Sequence, residues 1–120
     1  MTLGEAAEIL EIDLEKALSY YMEREDLYLR FLLRYPESAR DWLAGLDRAV
    51  TDRDYGKIEY NAHSLKGISA NMGLDNIAAV CDIMVKELRA KCYDNIAVHY
   101  ECCVKLCGQA IEILEKLDMQ

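Results

Sequence analysis

Proline occurs once in this chain, at Pro36, and nowhere do β-branched residues cluster into an alternating run. The first scarcity lets helices run uninterrupted, and the second argues against a sheet. No window approaches the roughly 20 consecutive apolar residues of a membrane span. The start, Met1 to Glu8, has no basic stretch leading into an apolar run, so no secretory signal is expected either. Basic residues are in deficit, 14 against 22 acidic, for a net charge of −8. That sign works against nucleic acid and anionic membrane as general partners, because both are bound through Lys and Arg. No CxxC pair is present. The five cysteines, Cys81, Cys92, Cys102, Cys103 and Cys107, are odd in number and crowd the C-terminal half. Free thiols in a reduced compartment are the simpler reading, and the expected location is the cytoplasm.

What is present is helical periodicity. With 120 residues, 52 % of them apolar and 30 % charged, the composition suits one modest core and a single domain over residues 1–120. Apolar residues recur at steps of three and four almost throughout, which reads as all-α. Two short N-terminal helices are expected at 2–10 and 13–23, the second capped by Asp13 with Leu14, Leu18 and Tyr21 as its apolar stripe. Over 25–51 the stripe Leu27, Phe31, Tyr35, Ala39, Trp42, Leu46, Ala49 continues through Pro36 and favours one helix kinked there, the alternative being a new helix that begins at the proline.

Asp54 is a good N-cap for a helix over 54–72, whose core stripe Tyr55, Ile58, Ala62, Leu65, Ser69, Met72 is spaced 3, 4, 3, 4, 3. Gly73 sits where a left-handed terminating residue is wanted, and Asp75 is placed to cap the next helix, 75–91, with Leu74, Ile77, Cys81, Met84 and Leu88 inward. Asp94 is the expected cap of the last, 94–118, with Ile96, Tyr100, Cys103, Cys107, Ala110, Leu114 and Leu117 inward. Four long amphipathic helices with short connections make an antiparallel up-down-up-down four-helix bundle, with the short N-terminal helices packed across it.

At 100° per residue, the centre of the 54–72 core stripe lies about 130° around from His63, so the imidazole faces outward. Glu59, Lys66, Gly67 and Ala70 share its face, with Tyr60, Ser64 and Asn71 beside it. Gly67 is the anomaly. A mid-helix glycine costs on the order of 1 kcal/mol relative to alanine, and nothing in the pattern asks for a break there. Either Gly67 eases helix packing beside an ordinary surface histidine, or it clears the approach of a reacting partner to His63, with Lys66 supplying positive charge one turn away.

His63-Ser64-Leu65-Lys66-Gly67, followed by Gly73, resembles the His-x-Leu-Lys-Gly-x-x-x-x-x-Gly signature of histidine phosphotransfer (HPt) domains. Leu46-x-x-Ala49, Asp54 nine residues before the histidine, and Ala62 just before it are similar to the family pattern too. The chain departs from it at Met84-Val85, where the family often has Leu-Glu. The resemblance implies a phosphorelay intermediate: His63 as phosphoacceptor, Lys66 near the phosphoryl group, Gly67 as clearance. It implies receiver domains of response regulators or hybrid sensor kinases as partners, a monomer, and no autonomous kinase activity.

Phosphoryl transfer asks a protein mainly for positioning and charge stabilisation. A neutral imidazole nitrogen is a competent nucleophile without a dedicated base. Glu59 alone is no Mg²⁺ site, so the receiver is expected to bring the metal along with its phospho-aspartate, and no cofactor is assigned to this chain. No phosphate-binding glycine loop or ATP-binding pattern occurs. A second reading is a four-helix docking module of the same ancestry whose histidine is unused. A third is a metal site on the last helix, where His99, Cys103 and Cys107 recur four residues apart with Cys102 adjacent. Against it, Cys103 and Cys107 fall on the core stripe, where cysteine acts as a small hydrophobe.

Overall fold

The structure, a computed structural model, describes residues 1–117. Among these there is no strand, and the elements run α1 (Leu3–Ile9), α2 (Leu14–Ser19), α3 (Glu25–Leu32), α4 (Tyr35–Thr51), α5 (Tyr55–Asn71), α6 (Asp75–Arg89) and α7 (Ile96–Leu114). Helix α5 packs between α4 and α6, and α7 closes the ring against both, so α4 to α7 form the antiparallel four-helix bundle. Its core includes Ala39, Leu46, Ile58, Ala62, Leu65, Met84, Leu88, Cys103, Cys107 and Leu114. No helix among the described residues is long and apolar enough to cross a membrane.

The periodic stripe through Pro36 does not belong to one kinked helix. The chain breaks at Leu33 and Arg34, and Pro36 lies in the first turn of α4, where a missing N–H costs nothing because that donor has no helical partner anyway. The break also changes the phase of the stripe. Tyr35, Ala39, Leu46 and Ala49 are buried as expected, with Trp42 partly so, but upstream it is Tyr28 and Leu32 that enter the core. Phe31 is instead 42 % exposed, and Leu27 is only half-buried.

Helix α2 ends at Ser19, short of the expected residue 23, because Met22 and Glu23 both take positive φ and turn the chain toward α3. Asp13 and Asp54 cap as expected, accepting from the backbone N–H of Lys16 and Lys57. Asp94 and Asp75 do not. Asn95 occupies the cap of α7 without a side-chain bond. Leu74 occupies that of α6, leaving Asp75 as its first residue, paired with Lys16 at 3.2 Å. Helix α7 ends at Leu114, and residue 118, to which the last helix was expected to run, lies outside the described residues.

The C-terminus of α5 is closed completely. Gly73, at φ +79°, lets the chain reverse. Its N–H donates to the Ala70 carbonyl, and the Leu74 N–H to that of Ser69, the pairing of a Schellman motif. The next two carbonyls are taken by tyrosines from the N-terminal segment: Tyr21 Oη donates to Asn71 O at 3.1 Å and Tyr28 Oη to Met72 O at 2.7 Å. A Cβ on Gly73 would sit 3.1 Å from Ala17 Cβ and Ile12 Cγ2. Gly73→Val therefore combines left-handed strain with a clash against α2, and is expected to lower the unfolding free energy by roughly 2–4 kcal/mol, read from the shift in urea midpoint.

Candidate functional site

Asp54 starts α5 and the Gly73 turn ends it, which fixes the rotation of the helix between. Ile58, Ala62, Leu65 and Ser69 are buried. His63 lands on the outer ridge, exposed, and among the described residues no side chain pairs with its ring. Tyr55, expected on the core stripe, is 38 % exposed instead. It opens the helix at the end of the bundle and stacks on Tyr93 with ring centroids 3.9 Å apart.

Two flanks border His63. Toward α4, Tyr60 is largely exposed and meets Trp42 edge-on at 5.7 Å. Toward α6, charged pairs bridge the helices. Lys66 Nζ lies 2.9 Å from Asp82 Oδ1, and Asp82 Oδ2 lies 2.8 Å from Lys86 Nζ. One turn before His63, Glu59 Oε2 accepts from Arg89 Nε at 3.3 Å. The ammonium groups of Lys86 and Lys66 hold the Asp82 carboxyl at about 2, below the usual carboxylate range. Its charge is therefore fixed at neutral pH, and is lost only as the pH falls through about 2.

Gly67, one turn beyond His63, faces open space: a Cβ built there meets nothing within 4 Å. Packing among the described residues thus makes no use of the missing side chain. Gly108 on α7 is open in the same way, so an open helical glycine is not in itself a site. What distinguishes Gly67 is the exposed histidine a turn before it.

His99, Cys102, Cys103 and Cys107 do not come together as one set of ligands. Cys103 and Cys107 are fully buried beside Cys81, with sulfur separations of 3.7 Å (Cys81–Cys103) and 4.0 Å (Cys103–Cys107). Hydrogen bonding to the Cys103 sulfur, with burial, pushes the Cys81 and Cys107 thiols up. His99 turns to α6, its Nδ1 2.5 Å from Glu87 Oε1, and Cys102 is exposed.

A family model described as Hpt domain matches residues 30–118. The chain belongs to the Hpt domain family. It is a histidine phosphotransfer protein of the phosphorelay kind. Among solved structures, histidine-containing phosphotransfer protein B (HptB) from Pseudomonas aeruginosa PAO1 superposes with a TM-score of 0.77 at 22 % identity, over 88 % of this chain and 91 % of that one. That likeness is one of fold. No curated protein matches the sequence.

In this Hpt domain the family's Leu-Glu positions, Met84 and Val85, are both buried, so neither brings a polar group to the histidine. The polar groups that α6 brings to this face are Asp82, paired with Lys66 and Lys86, and Arg89, paired with Glu59, and the sequence sets none of the three apart. The only local signal was the Asp82/Lys86 spacing of four residues, common on any solvated helix face. That Asp82 also reaches Lys66 depends on the register of α6 against α5, which no local pattern encodes.

Proposed function

We propose that His63 is the phosphoacceptor of this Hpt domain, receiving a phosphoryl group from the phospho-aspartate of one receiver domain and passing it to another. What carries the reading is the juxtaposition on α5 of an exposed, unpaired imidazole and the open surface over Gly67. In the transfer, the unprotonated ring nitrogen attacks phosphorus and the P–N bond forms. The bond to the aspartate oxygen breaks, and the carboxylate departs with the electron pair. Lys66 offsets charge on the three remaining oxygens, and Gly67 lets the receiver's active site come down over the ring.

The carboxylates beside His63 do not suit Mg²⁺. Asp82 is occupied on both oxygens by lysines, and Glu59 is engaged by Arg89. The receiver brings the metal in this reading, and the domain acts as a substrate of the reaction with no kinase activity of its own. It works as one module, a monomer in the cytoplasm, where phosphorylated receivers would reach it.

The chain has two histidines, which makes the test simple. Incubation with a phosphorylated receiver, followed by trypsin, should leave acid-labile, base-stable phosphate on the peptide spanning 58–66. Phosphate on the 92–105 peptide, which carries His99, would move the site. With no phosphate on either, the docking-module reading takes its place.

A further inference from the structure

In the structure Lys66 is not waiting for a phosphoryl group. Its ammonium is bound to Asp82, with side-chain exposures of 36 % for the lysine and 28 % for the aspartate. A phosphoryl group on His63, three residues before Lys66 on the same helix, competes with that carboxylate for the lysine. Asp82 can release Lys66 without being left a lone charge, because its second oxygen is held by Lys86, which is 74 % exposed and reaches it from the next turn of α6.

We propose that Asp82 is a positioning residue that sets how tightly Lys66 holds the phosphoryl group on His63, and that Lys86 acts on this grip through Asp82. The proposal rests on the reading of His63 as phosphoacceptor. An intermediate that both takes and gives a phosphoryl group works best when its cation grips weakly, since an unopposed lysine would favour the loaded state. Asp82 opposes Lys66, and Lys86 limits the opposition by sharing the carboxylate.

Phosphoramidate, a small phosphodonor, loads histidine without any receiver, and ³¹P NMR then follows the titration of the phosphoryl group. A nearby ammonium lowers that group's second pKa. Asp82→Asn frees Lys66 and is expected to lower it by roughly half a unit relative to wild type. Lys86→Met, which leaves Asp82 to Lys66 alone, is expected to raise it. In the Asp82→Asn background, Lys86→Met should add nothing, and Lys66→Met should erase the effect of Asp82→Asn. Asp82→Ser serves as a second variant should the asparagine fold poorly, and Asp82→Glu should bring the titration back toward wild type.

A phosphoryl pKa that Asp82→Asn leaves in place or raises overturns the proposal. So does an effect of Lys86→Met that persists without Asp82, since Lys86 would then touch the phosphoryl group directly. If phosphoramidate loads His63 but no receiver does, the relay reading fails while the titration still decides the role of Asp82. A His63 that phosphoramidate leaves unmodified overturns both.

Discussion

His63→Gln is expected to take up no phosphate from a phosphorylated receiver while folding as wild type does. Glutamine keeps a polar side chain of helix-compatible shape but carries an amide, whose nitrogen lone pair is delocalised and does not attack phosphorus. The imidazole it replaces is exposed and unpaired, so the change in stability should stay within about 0.5 kcal/mol. Labelled-phosphate transfer read on a gel, with circular dichroism and a thermal melt on the same preparation, separates loss of chemistry from loss of fold. His99→Gln is the control. His99 lies on α7 against Glu87, so its variant should accept phosphate as wild type does. Equal labelling of the His63 variant would sink the assignment.

Gly67 gives a second large effect, in which stability and transfer move in opposite directions. Alanine there removes the entropic cost of a helical glycine, and its methyl group meets nothing within 4 Å. The variant should be more stable by about 1 kcal/mol, a rise in Tm of roughly 4 °C for a domain of this size. Gly67→Gln should also fold well, yet slow transfer from a receiver on the order of 10²-fold or more, because it holds the partner's phosphoryl group away from the ring. Loading by phosphoramidate, which needs no docking, should be far less affected. A glutamine variant that transfers at the wild-type rate would show that the open surface serves no partner.

The α5–α6 pair was the most legible part of the chain. Its signals are local and agree: Asp54 caps, the 3-4 spacing holds from Ile58 to Met72, and Gly73 takes the left-handed conformation the pattern required. Tyr55 departs from its stripe because spacing places a residue on a face without saying whether the bundle extends far enough to cover it. The 25–51 segment failed for a related reason. Apolar spacing continued through Pro36, but a two-residue break rotates the helix before it, so Tyr28 and Leu32 took the core positions assigned to Leu27 and Phe31. Tyrosine suits that burial because its hydroxyl has the Met72 carbonyl to bond. At the candidate site, the juxtaposition of His63, Lys66 and Gly67 was readable because they lie on one helix. The pairing of Asp82 with Lys66 was not, because it is a property of two helices in register.

The carbonyls that end α5 bear on how the family's shared segment relates to the whole molecule. Two of the four, those of Asn71 and Met72, are bonded by Tyr21 and Tyr28, and both tyrosines precede residue 30, where the family match begins. The helix that carries His63 is thus finished by side chains from outside the segment that defines the family. A fragment trimmed to residues 30–118 would keep every signature residue and still end that helix in two carbonyls without their tyrosines. Hydrogen exchange at the last turn of α5 would register the difference, although an alignment of signature residues would not.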